Sequence, residues 1–199
     1  MTISEPMTML TDYALAGVTG WLGWLLFRNS QLQSSRRFWA LAFAALALAA
    51  FLGGTFHGFM QHGLLWKATV LAVGVASFAM VAGSAIAVLS RVPRTVVLVL
   101  ANTKLLVYAT WMLVRDDFIF VIADSGVAFA AVAILHLLKF DAWILAGVAL
   151  SVVAALVQAS GFALHQHFNH NDLYHVIQIA AMALLYRGAR LLEDRRRNS

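Results

Sequence analysis

The chain has 199 residues, of which 62% are hydrophobic and only 12% are charged, and its mean hydropathy is +0.81. This composition excludes a soluble globular domain. The formal net charge of +5 does not indicate nucleic-acid binding, because five of the 14 basic residues lie in the last 13 positions, a pattern typical of membrane topology. The chain contains no cysteine, so any metal must be held by nitrogen and oxygen ligands.

Seven apolar runs follow one another along the chain, each close to the roughly 20 residues that a bilayer crossing needs. Short charged or turn-forming stretches separate them, so successive helices should run antiparallel. The sequence therefore predicts an all-α integral membrane protein, a single domain over residues 1–199 that forms a seven-transmembrane-helix bundle. The predicted spans are Thr8–Phe27, Phe38–Gln61, Ala68–Leu89, Thr95–Val114, Phe118–Leu138, Ala142–Ala163 and Leu173–Leu192.

The basic residues indicate how the bundle is oriented. Counted over alternate connections, eleven lysines and arginines fall on one side and only Lys67 and Arg115 on the other, while Lys104 lies inside a helix. The positive-inside rule then predicts an outside N-terminus and a cytoplasmic C-terminus. We expect the protein in a bacterial inner (plasma) membrane.

In this topology, six of the seven histidines converge near the outer face. His57 lies in an apolar stretch near the end of the second helix, where an unpaired imidazole is costly, and His175 lies near the start of the seventh. Imidazole is a common ligand of zinc, so His57, His170 and His175 are the candidate metal ligands. Of the remaining outer histidines, His62 is interpreted as a loop residue at the membrane interface and not as a ligand, while His165 and His167 are compatible with either role.

Three polar residues near these histidines can each have either a structural or a functional role. Asn171 and Asp172 precede His175 by four and three residues, so each can share its helix face as a ligand or can cap the helix. Asp124, in the fifth helix, either pairs with Lys104 or supports a metal-bound histidine. Asp172 and Asp124 are therefore the candidate catalytic residues, as proton carriers.

This arrangement resembles the CREST superfamily of seven-helix membrane proteins, which includes the alkaline ceramidases and the progestin and adipoQ receptors. The residues that carry the resemblance are Gly53-Gly54-Thr55-Phe56-His57-Gly58 and the stretch Phe168–Gln178. The resemblance implies a zinc ion held by three histidines and, in a ceramidase-like member, cleavage of a lipid amide bond within the membrane.

The chain departs from the family's pattern at three places. Gly53 stands where the family has serine, Lys67-Ala68-Thr69 where it has an acidic residue, and Asn171 where it has a second histidine of helix seven. By the resemblance, His57 and His175 match the zinc ligands. The third ligand is open among His170, Asp172 and Asn171.

The first prediction for function is a zinc-dependent intramembrane hydrolase that cleaves an amide or ester bond of a membrane lipid, with the site near the outer face. One alternative is a non-catalytic receptor or assembly protein that binds a metal or another ligand. The other is a redox protein whose haem is held by two histidines. Zinc is the expected cofactor, and a membrane lipid is the expected substrate or ligand.

Overall fold

The structure is a computed structural model that describes residues 4–59, 62–165 and 168–195. Within these ranges the chain forms seven α-helices and no β-strand. The helices are α1 (Pro6–Arg28), α2 (Ser34–Gly58), α3 (Gly63–Val88), α4 (Arg91–Val114), α5 (Ile119–Leu137), α6 (Ala142–Ser160) and α7 (His170–Ala189). The number of helices agrees with the sequence prediction. Gln61, the predicted end of the second span, lies outside the described residues.

Several helices begin before their predicted apolar span. α3 starts at Gly63, α4 at Arg91 and α7 at His170. Hydropathy marks only the apolar part of a helix, whereas the backbone continues until its terminal N–H groups find partners. The imidazole of His62 provides one, since its Nδ1 accepts a hydrogen bond from the Leu64 N–H at 3.2 Å.

Five helices, α2 to α6, are long and apolar enough to cross a bilayer. Their outward surfaces carry many large apolar side chains that are more than two-fifths exposed, a distribution that a water-soluble protein rarely tolerates. Examples are Val99, Leu106, Leu113, Ile134 and Leu156. These helices are compatible with a membrane protein.

α7 packs against α6 and α1, and α1 packs against α2. Glycines allow these helices to approach closely, as small residues do in membrane helix pairs. A Cβ atom on Gly23 of α1 would lie 2.8 Å from the Cβ of Phe43 in α2, and one on Gly147 of α6 would lie 2.6 Å from the Cγ of Leu185 in α7. The close contacts hold α1 against α2 and α7 against α6, and α1 and α7 also contact each other directly.

The helices α1 and α7 bury the most conspicuous polar residues of the bundle. In α1 the buried polar side chains are Thr8, Thr11, Asp12 and Thr19; in α7 they are Asp172, His175 and Gln178. Residues three or four apart share a helix face, so each helix turns a polar stripe inward. The contact between these helices positions the candidate site.

The opposite end of the bundle is basic. The C-terminal carbonyls of α3 accept hydrogen bonds from three cations: Lys139 Nζ donates to Ala87 O at 2.6 Å, Arg195 Nη1 to Val88 O at 2.7 Å, and Arg94 Nη2 to Leu89 O at 3.0 Å. Cations at a helix C-terminus are stabilised by the helix dipole and satisfy orphan carbonyls. The basic residues thus hold the chain together at this end.

Candidate functional site

His175 lies at the centre of the contact between α1 and α7, and both of its ring nitrogens face residues of α1. Its Nδ1 is 2.9 Å from Thr11 Oγ1, and its Nε2 is 3.1 Å from Asp12 Oδ1. His175 is 7% exposed and Asp12 is 4% exposed. Two neighbouring residues of one helix therefore hold the imidazole from both sides.

Asp172 lies one turn before His175 and is completely buried. Its Oδ2 accepts a hydrogen bond from the Asn169 N–H at 2.8 Å, and Asn169 Oδ1 accepts the N–H groups of Asn171 and Asp172 in return. This reciprocal pair is a capping box. The N-cap is thus Asn169, so the expectation of an N-cap at Asn171 or Asp172 is wrong, although Asp172 completes the box from inside the helix.

His57 lies in the last turn of α2, beside the segment that precedes α1. Its Nδ1 lies 3.1 Å from Glu5 Oε2, but the two atoms are not aligned for a hydrogen bond. The segment before α1 is fixed to the same helix end, since the Ser4 N–H donates to Gly58 O at 3.4 Å and Ser4 Oγ donates to His57 O. The side chains of His57 and Glu5 are 27% and 41% exposed. This side of the site is therefore its accessible side.

The backbone of α2 makes room for Asp12. A Cβ atom on Gly54 would lie 2.9 Å from the Asp12 Cβ, and one on Gly53 would lie 3.6 Å from Asp12 Oδ2. Beside them, Tyr13 Oη and Thr55 Oγ1 are 3.0 Å apart and share a hydrogen bond. The Gly53-Gly54 pair therefore lets the Asp12 carboxyl group occupy the space between α1 and α2.

We name this group of side chains the histidine–carboxylate cluster; it consists of Glu5, Thr11, Asp12, His57, Asp172 and His175. Its contacts join Glu5 to His57, and Thr11 and Asp12 to His175, while Asp172 lies one turn before His175. Three buried polar atoms in it have no hydrogen-bond partner, namely Asp12 Oδ2, His57 Nδ1 and Asp172 Oδ1. In an apolar bundle such atoms are costly.

The donor set of the cluster fits a divalent cation. Two imidazoles and up to three carboxylates offer the nitrogen and oxygen ligands that zinc accepts in the absence of thiolates, and the unpartnered oxygens of Asp12 and Asp172 are free to bind one. Within the described ranges, no three histidine, aspartate or glutamate side chains already stand together at metal-ligand spacing.

The remaining sequence candidates lie elsewhere. His170 opens α7 five residues before His175, which puts it about 140° around the helix from His175. Asn171 Oδ1 accepts a hydrogen bond from Gln158 Nε2 of α6 at 3.2 Å. Asp124 forms an ion pair with Lys104, whose Nζ also donates to the Asp124 carbonyl at 3.1 Å. The structure thus has the Lys104–Asp124 pair, the first of the two readings for Asp124.

The structure describes two of the three histidines that were predicted in loops. His62 is the N-cap of α3. His165 lies in the connection between α6 and α7, where its backbone pairs with that of Phe168. His167 lies outside the described residues.

Thr11, Asp12 and Glu5 are not among the residues that the sequence predicts for the site, because those residues are histidines, their neighbours in α7 and Asp124. A signal was present: Thr8, Thr11 and Asp12 are spaced three and four residues apart within the first apolar run, a polar stripe on one helix face. An acidic side chain inside a predicted membrane helix is itself a functional indication.

A second buried polar network lies at the basic end. His136 Nδ1 is 2.6 Å from Asp141 Oδ2, and His136 Nε2 is 3.0 Å from Ser84 Oγ. The order of contacts is that of a Ser-His-Asp triad, but Ser84 and His136 are both fully buried. The network therefore joins α3, α5 and the start of α6 as a structural element.

Comparison with known proteins gives a family but no activity. No curated protein and no solved structure matches the chain. A model described as a family of unknown function, DUF6962, matches residues 7–194 and so includes α1 and α7 almost entirely. This match provides no link to the CREST superfamily, and that resemblance stays a prediction. The chain belongs to the DUF6962 family.

Proposed function

We propose that this chain is a zinc-dependent hydrolase of the membrane that cleaves an amide or ester bond of a lipid. The observation that supports the proposal is the histidine–carboxylate cluster, where the buried His175, Asp12 and Asp172 and the partly exposed His57 carry unpartnered polar atoms or contact each other. Ionisable groups at such depth are usually functional. Their meeting at one end of the bundle agrees with a substrate that approaches from one face of the membrane.

His57 and His175 are the imidazole ligands in this proposal. Zinc, when bound, supplies a water molecule of lowered pKa and polarises a carbonyl group. The Thr11 hydroxyl contacts His175 Nδ1 and so orients the ring with Nε2 directed toward the cluster. His57 turns from Glu5 toward the other ligands, which its partly exposed position allows.

Asp172 is the proton carrier in this proposal. Its Oδ2 is held by the Asn169 N–H, so the carboxyl group has a fixed orientation, while its buried Oδ1 has no partner and is available to accept a proton. His57 and Glu5 form the accessible side, through which the polar part of a lipid reaches the cluster.

The proposal includes the placement of the protein in its membrane. All seven helices cross the inner membrane, with the cluster near the outer face and the C-terminus in the cytoplasm. The support is the separation of charge: the basic residues that contact the C-terminal end of α3 lie at the end of the bundle remote from the cluster.

The test is a joint measurement of metal content and lipid hydrolysis on the purified full chain in detergent. Zinc is measured by elemental analysis, and turnover with a fluorogenic long-chain N-acyl amide and a fluorogenic phospholipid ester. We expect about one zinc per chain in the wild type, and loss of both zinc and turnover in His57→Ala and His175→Ala. The control is His62→Ser, which alters a histidine near the same end and retains a capping side chain.

The outcomes separate the candidate functions. A wild-type protein without zinc, or zinc that persists in both histidine variants, contradicts the proposal. Stoichiometric zinc without turnover on either substrate favours a non-catalytic receptor or assembly protein. A haem absorption band in the purified protein favours the redox alternative.

A further inference from the structure

We infer that Asp12 of α1 is the third protein ligand of the metal, together with His57 and His175. This inference rests on the proposed function, because it concerns the same ion. It differs from each of the sequence candidates for the third ligand, all of which lie on α7. It also gives α1 a role in metal binding that no motif in the chain indicates.

The spacing of two donor atoms supports the inference. Asp12 Oδ1 and His175 Nε2 are 3.1 Å apart. Two ligand atoms of a tetrahedral zinc, each about 2.0 Å from the ion, lie roughly 3.3 Å from each other. The two atoms therefore already stand side by side at nearly the separation that a shared ion requires.

The surroundings of Asp12 also indicate a cation. Its Oδ2 is buried without a hydrogen-bond partner, while its Oδ1 faces His175. A buried carboxyl oxygen without a donor is costly, and a bound cation would satisfy it. The glycine pair of α2 leaves the space that this carboxyl group fills.

The candidates on α7 are less suitable. His170 lies on another face of the helix, and the side-chain oxygen of Asn171 is engaged by Gln158. Asp172 uses one oxygen in the capping box of α7. Asp12, in contrast, has no part in the capping or backbone bonding of its own helix, so its carboxyl group is available as a ligand.

The experiment compares Asp12→Asn and Asp12→His with the wild type, using zinc titration against a competing chelator and zinc X-ray absorption spectroscopy. Asn retains the shape but removes the charge, and we expect zinc affinity to fall at least a hundredfold, beyond the 10–100-fold typical of residues that only support a ligand. In Asp12→His, the absorption spectrum should change from two imidazole ligands to three. Asp124→Asn is the matched control, because it alters another buried aspartate, in the Lys104 pair.

Two results overturn the inference. If Asp12→Asn binds zinc as the wild type does, Asp12 only pairs with His175. If Asp12→His folds and binds zinc with two imidazoles, the ligand comes from elsewhere. In both cases the wild type still holds zinc and the proposed function stands; a wild type without zinc defeats the function and the inference together.

Discussion

At the scale of single residues, the contact between Thr11 and His175 decides which ring nitrogen faces the cluster. We predict that Thr11→Val weakens zinc binding 10–100-fold, because the imidazole loses the hydroxyl at Nδ1, 2.9 Å away, that orients it. The substitution conserves volume, so the helix contact between α1 and α7 should survive. Zinc affinity by chelator competition, together with the apparent melting temperature in detergent, measures the two effects separately.

Thr19 provides the matched control for this substitution. It is a fully buried threonine of the same helix, two turns further along, and its Oγ1 has no hydrogen-bond partner. Thr19→Val therefore removes an unpaired polar atom and should leave zinc affinity unchanged, with stability equal or slightly higher. Equal loss of zinc in both variants would show that the effect comes from helix packing and not from the orientation of His175.

At the scale of helices, α2 receives its N-terminal cap from the far end of the chain. The backbone N–H groups of Ser34 and Ser35 each donate to a carboxyl oxygen of Asp194 at 2.8 Å. Burial opposes ionisation of this carboxyl group, but the hydrogen bonds from Ser35 and Ser34 outweigh burial and hold the pKa of Asp194 below its usual value. The segment after α7 is thus fastened to the start of α2.

This cap should make part of the stability depend on pH. Since the pKa is lower in the folded state than in the unfolded state, the stabilisation is complete above the unfolded pKa of about 3.9 and is lost as pH falls through the folded value. At pH 7, Asp194→Asn should lower the free energy of unfolding by about 1 kcal/mol. The difference from wild type should shrink below about pH 4.

Chemical unfolding of both proteins at pH 7 and pH 3.5 measures this dependence. Glu193→Gln is the control, because Glu193 is the exposed neighbour and makes none of the hydrogen bonds to α2. A stability difference between wild type and Asp194→Asn that is the same at both pH values would contradict the role of the ionised carboxyl group.

The helices also show what hydropathy can and cannot predict. The seven apolar runs were sufficient to predict seven helices, because an apolar bundle must satisfy its backbone within each helix. The first turns of α3 and α4 were missed, since Lys67 and Arg94 interrupt the apolar pattern without interrupting the backbone hydrogen bonds. Helix ends depend on capping side chains such as Asn169, whose single oxygen atom accepts backbone N–H groups. A hydropathy pattern carries no information about such a hydrogen bond.

The residues of the histidine–carboxylate cluster could be predicted only in part from the sequence. The alternation of helix direction predicts His57 and His175 at the same end of the bundle; in the structure His57 lies in the last turn of α2 and His175 in the second turn of α7. Asp12 was not expected beside them, because the chain order gives no sign that α1 packs against α7. His136 is the one histidine that the sequence does not predict near the outer face. Its partners Ser84 and Asp141 could not be predicted either, because they come from two other segments of the chain.

At the scale of the whole molecule, the two ends of the bundle differ in charge. This difference agrees with the proposed orientation, in which the basic end faces the cytoplasm. The cluster end contains buried carboxylates, whereas the other end contains Lys139, Arg94 and Arg195 bound to the carbonyls of α3. These cations have a structural function, because they satisfy the last carbonyl groups of α3. The contacts with α3 are the same in either orientation, so only the positive-inside rule distinguishes the two orientations.

The absence of cysteine from the chain makes this orientation directly measurable. Leu164, in the connection before α7, is 60% exposed, and Val92, in the first turn of α4, is 75% exposed. We predict that in spheroplasts a membrane-impermeant maleimide labels Leu164→Cys but not Val92→Cys, and that inverted vesicles give the reverse. Each substitution replaces an exposed apolar side chain, so neither disturbs the core, and the unsubstituted chain reports background labelling. Labelling of Val92→Cys alone in spheroplasts would place the histidine–carboxylate cluster on the cytoplasmic side, and the substrate would then have to be a lipid of the inner leaflet.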